Sequence, residues 1–316
     1  PDSGHFPPLV TSKMMDISVV VCTYNRAASL KITLSSLRAL EAPSSLKWEI
    51  LMVDNNSTDS TRDVIEEFAN TSGLNVRYIF EPQQGRSFAL NAGIREAKGE
   101  IVAFTDDDVT FDPQWMLSLK QALDEWGCIA AAGKIVPVWN DPVPSWFQLE
   151  GQQAVGHFDM GETPKGTNYA HGANGAFRRE AFEKYGTFQT GVSVDGKLLG
   201  GYEDDEFGHR LTSRGEKIMY VPGAIVYHPV ETHKLNKAYF RKWFFDIGRT
   251  MMWARIWPRE TVLYSGIPRY LFRALAENIL LYPFTFDEKR RFRRECLARS
   301  AAGGILEGCR MIWTKK

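Results

Sequence analysis

Short apolar runs alternate with helical patterns along the first part of the chain. Continuous apolar runs of the kind found in strands covered on both faces lie at 17–21, 49–54, 76–80 and 101–105. Apolar residues recur at helical spacing in the segments that follow them, at 27–40, 61–70, 86–98 and 113–126. Strands that alternate with helices of this length predict an α/β fold with a doubly wound, mostly parallel, Rossmann-like sheet.

The regular alternation ends near residue 127. Further strands and helices are predicted at 129–138, 171–182, 200–215 and 217–228, whereas 142–166 is rich in Pro, Gly and Gln and has no period. A segment of that length without a pattern is expected to be a long loop over the sheet, and such loops are usually functional or mobile. Beyond residue 229 the chain becomes helical, aromatic and basic. We therefore expect a lead-in at 1–15, an α/β domain at 16–232 whose halves are 16–126 and 127–232, and a helical C-terminal region at 233–316.

Charge is distributed unevenly along the chain. The whole sequence carries 38 basic and 38 acidic residues, and this neutrality argues against a protein that binds nucleic acid. Before His233 there are 20 basic and 31 acidic residues, and from His233 onward there are 18 and 7. Such an asymmetry predicts that the basic C-terminal region has a partner of its own.

The sequence indicates a reducing compartment. Four cysteines lie far apart, with no zinc-like spacing to one another or to histidines. The N-terminal residues lack a basic segment followed by an apolar run, and no stretch has the roughly 18 uncharged apolar residues of a membrane span. We therefore expect a cytoplasmic protein.

Polar motifs follow three of the predicted strands. CTYNR lies at 22–26, DNNSTDS at 54–60 and DDD at 106–108. Ligands of open parallel sheets bind beyond the carboxyl ends of the strands, so these motifs are candidates for a binding site. No GxGxxG or GxxxxGK[ST] motif is present, which argues against a dinucleotide cofactor and against a P-loop enzyme.

The three successive aspartates predict a cation site. Asp106 and Asp108 would project to the same side of an extended chain and would repel each other unless a cation lay between them. Mg²⁺ or Mn²⁺ is commonly held by one or two carboxylates together with the phosphates of a substrate. The alternative is a solvated acidic turn before the helix at 113–126.

Five motifs together resemble the inverting family 2 glycosyltransferases of the GT-A fold. They are VCTYNR at 21–26, VDNNSTD at 53–59, GRSFALNAGI at 85–94, VAFTDDD at 102–108 and GGYEDDEFGHRL at 200–211. The resemblance covers about residues 17–228 and implies a hexosyltransferase whose donor is a nucleoside diphosphate sugar. The resemblance further implies a role in polysaccharide biosynthesis, nucleotide-sugar binding and a DXD-type metal site.

The resemblance also assigns residues to the donor site. These are Thr23, Asn25 and Arg26 in the nucleotide pocket, Asp54 at the base, Arg86 near the ribose or phosphates, Asp106 at the ribose, Asn56 and Asp107 elsewhere in the donor site, Asn174 near the donor sugar and acceptor, and Asp108 and His228 as metal ligands. Asn174 could equally be a turn residue, and a lone histidine such as His228 is often a hydrogen-bonded packing residue.

Four successive acids at 203–206 open a predicted helix and are candidates for acid–base chemistry. The resemblance places the general base on Asp204, with Glu203 and Asp205 orienting the acceptor hydroxyl. A carboxylate in this role accepts the proton of the attacking hydroxyl while a metal-bound nucleoside diphosphate departs. The alternative is an acidic first helical turn that only complements the helix dipole.

Two other functions remain open at this point. A nucleotidyltransferase or pyrophosphatase acting on sugar nucleotides would need DDD but not the 203–206 acids. A non-catalytic sugar- or membrane-binding module could retain the fold without activity. Intact acidic motifs at both places favour the transferase.

The C-terminal region suggests a membrane-proximal acceptor. Segment 236–257 places aromatic residues broadly on one helical face and cations elsewhere, and 288–295 reads EKRRFRRE. Aromatic and basic segments of this kind are typical of helices at anionic membrane surfaces, although 236–257 could equally pack on the α/β domain. The expected acceptor is a glycan or a lipid-linked sugar, and the expected association is peripheral, at the inner face of the cell membrane.

Overall fold

The computed structural model describes residues 15–149, 153–190, 202–257 and 260–313. The predicted lead-in, except for Met15, and the glycine pair Gly200 and Gly201 lie outside the described residues. Residues 150–152 of the predicted loop at 142–166 also lie outside them.

The first part of the described chain alternates strands and helices as predicted. Its elements are β1 (Met15–Thr23), α1 (Ala27–Arg38), β2 (Trp48–Asp54), α2 (Thr61–Thr71), β3 (Val76–Phe80), α3 (Arg86–Glu96) and β4 (Gly99–Thr105). The four strands pair in parallel in the order β3-β2-β1-β4. All four strands therefore end at one edge, where the polar motifs follow them.

The second part adds an antiparallel insertion to the same sheet. Its elements are β5 (Thr110–Phe111), α4 (Trp115–Trp126), β6 (Ala130–Trp139), a 3₁₀ turn (Gln153–Val155), β7 (Lys165–Thr167), β8 (Asn174–Arg178), α5 (Arg179–Tyr185), α6 (Glu203–Thr212) and β9 (Ile218–Val230). Strand β8 lies antiparallel between β4 and β6, and β6 pairs in parallel with β9. The described strands thus form a mixed, mostly parallel sheet in the order β3-β2-β1-β4-β8-β6-β9-β5, with β7 on β9. The predicted α/β fold is confirmed.

Each face of the sheet is covered by its own apolar core. Alternate residues of β1 point to opposite faces, so Val19 and Val21 join one core and Val20 joins the other. Leu30, Leu34 and Leu37 of α1 complete the first core and are all buried, as their helical spacing predicts. Phenylalanine rings dominate the second core, with Phe104 at its centre against Phe177, Phe182 and Phe188.

The C-terminal region is helical. It contains α7 (Lys237–Ala254), a hairpin of β10 (Leu263–Tyr264) and β11 (Ile267–Pro268), α8 (Arg269–Leu281) and α9 (Glu288–Trp313). A Cβ on Gly248 of α7 would lie 1.8 Å from the carbonyl oxygen of Ser300, so only glycine permits this close approach to α9. None of the described helices is long and apolar enough to cross a bilayer.

The aromatic face of α7 is buried against the rest of the protein. Phe240, Trp243 and Ile247 belong to a third core, which also includes Phe147 of the loop and Phe292 of α9. Asn236 caps the helix, because its side-chain oxygen accepts the backbone N–H of Tyr239 at 2.9 Å. The sequence left two alternatives for this aromatic face, contact with a membrane or packing on the α/β domain. In the structure it packs on the α/β domain.

Candidate active site

An open cleft of about 1130 Å³ lies at the carboxyl ends of the parallel strands. Many of the predicted site residues line it, namely Thr23, Arg26, Arg86, Asp106, Asp107, Asp108, Glu203, Asp204, Asp205 and His228. They come from the ends of β1 and β4, from the start of α3 and α6, and from β9. The parallel topology therefore brings together motifs that are far apart in the sequence.

Asp106, Asp108 and His228 form a group of potential ligands for a divalent cation, called here the cation cluster. One ligand atom from each residue lies within 4.8 Å of the other two. His228 places Nδ1 3.1 Å from the carbonyl oxygen of Pro229. Because a carbonyl only accepts, Nδ1 carries the hydrogen in the neutral ring and Nε2 keeps its lone pair, 3.7 Å from Asp108 Oδ1. Two carboxylates and an imidazole form a donor set that fits Mn²⁺ or Mg²⁺.

The middle aspartate of this motif is in a different environment. Asp107 is only 8 % exposed, and burial raises its pKa to about 6, while the side chain of Thr23 opposes the rise. Asp108 forms an ion pair with Arg26 at 2.9 Å. Asp106 follows the end of β4 and Asp107 and Asp108 lie in a turn, not in the extended chain that was expected; this turn leaves Asp106 and Asp108 partly exposed beside His228 and Asp107 buried.

Arg86 lies between the two acidic motifs. One guanidinium nitrogen is 2.8 Å from Asp106 Oδ1, and Nε is 3.1 Å from Glu203 Oε1. The surrounding carboxylates, Asp106 first, raise the pKa of Arg86, so the side chain is a permanent cation. A Cβ at Gly172 would lie 2.6 Å from Arg86 Nη2, so that position has no room for a side chain. The guanidinium of Arg86 therefore links the segment after β4 to the start of α6.

The acids that begin α6 point into different environments. Glu203 and Asp205 are buried, and burial is the main reason that the pKa of each is raised. Asp204 lines the cleft, where its Oδ2 accepts the backbone N–H of Gly172 at 2.8 Å and its Oδ1 accepts that of Asp205 at 2.9 Å. Glu206 pairs with Arg210 instead. Of the three acids at 203–205 that line the cleft, Asp204 is the most exposed, and two backbone N–H groups fix its orientation.

Two predicted nucleotide-site residues lie just outside the cleft lining. Asp54 is 2 % exposed; it accepts the backbone N–H of Ser57 and the hydroxyl of Tyr78, each at 2.9 Å. Burial, reinforced by the Asp54 carboxylate, raises the pKa of Tyr78 to about 12. Asn25 accepts the backbone N–H of Thr58 at 2.8 Å. Both residues hold the loops after β1 and β2 in place.

Asn56 and Asn174 also lie outside the cleft lining. Asn56 has a φ of 63°, a left-handed conformation that asparagine tolerates. Asn174 is fully buried: it accepts the indole N–H of Trp115 at 2.7 Å and donates to the carbonyls of Lys134 and Ala224, each at 2.8 Å. Its amide hydrogens are both used, and it links β8 to β6 and β9.

Several residues of the cleft wall were not predicted as site residues from the sequence. The C-terminal region contributes Lys234, Tyr239, Trp243 and Ile247 to the cleft wall. Asn55, next to the predicted Asp54, also lines the cleft, and its amide oxygen accepts the backbone N–H of Gly85 at 2.8 Å. The sequence did show that 236–257 has an aromatic helical face. That this face contributes residues to the cleft wall is visible only in the tertiary structure.

The fold is that of a class of sugar-transferring enzymes. A mannosyltransferase from Pyrobaculum calidifontis, solved in complex with GDP-Man and Mn²⁺, superposes with a TM-score of 0.62 at 17% sequence identity. The match covers 96% of this chain and 89% of that chain. The protein therefore has the GT-A fold of glycosyltransferases, as its motifs predict.

Sequence comparison narrows the class to one family. The model of glycosyl transferase family 2 matches residues 18–186, and the chain belongs to that family. The succinoglycan biosynthesis protein ExoM of Rhizobium meliloti is 27% identical over 241 residues, covering 76% of this chain and 75% of that protein. The glucosyl-dolichyl phosphate glucuronosyltransferase of Haloferax volcanii is 28% identical over 221 residues, covering 68% and 69%. The predicted family is confirmed.

Proposed function

We propose that this glycosyltransferase is an inverting hexosyltransferase that uses a nucleoside diphosphate sugar and a divalent cation, with Asp204 as the general base. The observation that carries the proposal is the position of Arg86. Its guanidinium contacts Asp106 of the cation cluster and Glu203, the neighbour of Asp204. A single displacement at an anomeric carbon is favoured by a cation that stabilises the leaving group and a base that accepts the hydroxyl proton, held in a fixed relation to each other.

The leaving group belongs on the side of the cation cluster. Asp106, Asp108 and His228 would hold Mg²⁺ or Mn²⁺, which as a Lewis acid would stabilise the departing diphosphate. We place Asp106 at the ion rather than at the ribose, since its carboxylate lies within reach of both other ligands. Arg26 and Arg86 would contribute positive charge, with Thr23, Asn55 and Asp107 completing this wall of the nucleotide pocket. The GDP-Man and Mn²⁺ of the mannosyltransferase support this assignment.

The attacking hydroxyl belongs on the side of Asp204. Two backbone N–H groups, from Gly172 and Asp205, fix the orientation of its carboxylate, and the residue lines the cleft. The raised pKa values of Glu203 and Asp205 mean that these neighbours retain protons more readily than an exposed carboxyl does. Asp204 is therefore the carboxylate of the three that is placed to accept the hydroxyl proton.

The acceptor wall is formed in part by the C-terminal helix. Tyr239 and Trp243 of α7 line the cleft, and aromatic side chains are suited to stacking on a sugar ring. The names of two relatives, a polysaccharide biosynthesis protein and an enzyme acting on glucosyl-dolichyl phosphate, support a glycan or lipid-linked acceptor.

Product analysis tests the proposal. The chain is incubated with nucleoside diphosphate sugars, Mn²⁺ and either a sugar glycoside or a polyprenyl-phosphate sugar, and the products are followed by NMR. We expect release of nucleoside diphosphate and a product whose anomeric configuration is opposite to that of the donor. Release of a nucleoside monophosphate or of pyrophosphate would assign the cleft to nucleotidyl chemistry, and retained configuration would remove the single-displacement mechanism.

A further inference from the structure

The turn that joins α8 to α9 exposes an unusual amount of apolar surface. Residues 279–286, called here the apolar turn, present Ile279, Leu280, Leu281, Tyr282, Phe284 and Phe286 to solvent. Phe284 is 74% exposed and Phe286 is 89% exposed. Single exposed apolar residues are normal in soluble proteins, but a contiguous group of this size indicates an interaction surface.

Hydrogen bonds hold the apolar turn in this shape. The backbone N–H of Thr285 donates to the carbonyl of Tyr282 at 3.2 Å, and its hydroxyl donates to the carbonyl of Leu281 at 2.8 Å. The same hydroxyl accepts from Arg294 Nε at 2.9 Å. Asp287 caps α9 by accepting the backbone N–H of Arg290 at 2.8 Å. The outward position of the phenylalanines is thus a feature of an ordered turn.

Exposed cations follow the apolar turn directly. Lys289, Arg290, Arg291 and Arg293, called here the basic run, lie exposed on the first turns of α9. The side chains of Lys289, Arg290 and Arg293 form no ion pair with any described residue. Phe292, which lies among them, is buried in the third core and anchors this end of α9 to α7. The basic run therefore sits beside the apolar turn on a fixed helix.

We propose that the apolar turn and the basic run form a docking surface for an anionic lipid bilayer. Phe284 and Phe286 would enter the interface, and the cations would contact the anionic headgroups. Charge complementarity favours a bilayer over a second copy of the chain, because an isologous contact through this surface would place one basic run against another. The aromatic face of α7 is buried, so within the helices that the structure describes the lipid-facing surface lies at the α8–α9 turn.

Vesicle co-sedimentation tests this surface. The chain is sedimented at low salt with vesicles of phosphatidylcholine alone, and with vesicles of equal parts phosphatidylcholine and phosphatidylserine. We expect binding to the anionic vesicles and little to the neutral ones, with the anionic binding weakened as salt is added. Absence of binding to anionic vesicles at low salt would overturn the proposal.

Two variants separate the apolar and the cationic contributions. Replacing Lys289, Arg290 and Arg293 together with glutamine should weaken binding about a hundred-fold, since each cation near an anionic surface contributes roughly five-fold. The matched charge control replaces the exposed Lys31, Arg38 and Lys98 with glutamine. Lys31 and Arg38 lie on α1, and Lys98 immediately precedes β4. If both variants lost the same affinity for anionic vesicles, the loss would be due to net charge alone, which would contradict the proposed surface.

The apolar contribution has its own matched control. Phe284→Ser with Phe286→Ser should abolish sedimentation with anionic vesicles, whereas Trp313→Ser should not. Trp313 is 79% exposed but ends α9, which places it roughly 35 Å along the helix from the turn. Circular dichroism checks that each variant is folded. If the Phe284→Ser, Phe286→Ser variant bound anionic vesicles as the wild type does, the proposed docking surface would be contradicted.

Sedimentation velocity without lipid tests whether the surface binds a second copy of the chain instead of a bilayer. A dimer of the wild-type chain that the Phe284→Ser, Phe286→Ser variant dissociates would assign the surface to a second copy and overturn the bilayer proposal. The proposal goes beyond the transferase chemistry and does not depend on it, because Asp204→Asn should bind vesicles as wild type does. Failure of vesicle binding would leave the assignment of the general base untouched.

Discussion

The two acidic motifs of the cleft have similar compositions and contrasting environments. In the motif after β4 the middle residue, Asp107, is buried, while Asp106 and Asp108 are partly exposed beside His228. In the motif that opens α6 the arrangement is reversed, because the middle residue, Asp204, is partly exposed and its neighbours are buried. The first arrangement is suited to binding a divalent cation, and the second is suited to accepting a proton.

Backbone geometry explains the contrast. Asp107 and Asp108 lie in the turn that follows β4, and this turn brings Asp106 and Asp108 together beside His228 while Asp107 is buried. Successive side chains of a helix point about 100° apart, so Glu203, Asp204 and Asp205 diverge into separate surroundings. The turn after β4 therefore gathers two carboxylates into a cluster, whereas the helix α6 separates one carboxylate from the others.

The largest expected effect is at Asp204. Asp204→Asn should lower the rate of transfer by about 10²-fold to 10⁴-fold, the usual contribution of a positioned general base, and should leave donor affinity nearly unchanged. Steady-state kinetics and calorimetry with donor and Mn²⁺ measure the two quantities. Asp124→Asn, which changes an exposed aspartate outside the cleft lining, is the control. A variant that transferred sugar at the wild-type rate would remove Asp204 from the role of base.

The next effect is at Asp108, where donor affinity should fall. Asp108→Asn should weaken Mn²⁺-dependent donor binding by at least about a hundred-fold, because the loss of a ligand exceeds the typical cost of losing an outer-shell partner. Calorimetry with and without Mn²⁺ measures it, again with Asp124→Asn beside it. Unchanged metal-dependent affinity in the variant would contradict the division of the two motifs into cation and proton sites.

Arg86 should affect both motifs to an intermediate degree. Arg86→Lys keeps the charge but cannot reach Asp106 and Glu203 at once, which removes one charged hydrogen bond and should cost about ten-fold. We expect the loss both in donor affinity and in the rate of transfer. A loss confined to one of the two measurements would show that Arg86 serves only one motif.

The smallest effect is on stability and concerns Asp205. Burial raises its pKa above the ordinary 3.8, so its contribution to stability is complete below that value and is lost as the pH rises toward the folded-state pKa. Asp205→Asn removes this loss, and its stability advantage over wild type should grow by up to about 1.4 kcal/mol per pH unit above pH 3.8. Urea unfolding across the acidic to neutral range measures it, with the exposed Glu183→Gln as control. A constant difference would show that Asp205 is not buried as described.

Topology made much of the cleft predictable from the sequence. The strand pattern indicated where β1, β2 and β4 end, and ligands of such sheets bind at those ends, so Asp106 and Asp108 could be selected before any coordinates. The family resemblance added Asp204, whose role no spacing rule would give. Local signals were enough wherever a functional residue directly follows a buried strand or begins a helix.

Packing over long sequence separations was not predictable. Tyr239 and Trp243 reach the cleft because α7 docks on the loop and on α9, which no local motif encodes. Asn174 was expected near the donor sugar, but its amide is used by Trp115 and by two backbone carbonyls. Hydrogen bonds of this kind depend on distant partners, so a single sequence does not show whether an asparagine faces a ligand or a neighbouring strand.

The shared arginine has a thermodynamic consequence. Arg86 is one of the groups that lower the pKa of Glu203, against a larger rise from burial. Any anionic ligand that draws the guanidinium away from Glu203 would let that carboxyl take up a proton. Reciprocity then requires that acidification strengthen the binding of the same ligand by the same free energy. Occupancy of one side of the cleft and protonation of the other are thus two measurements of a single linked equilibrium.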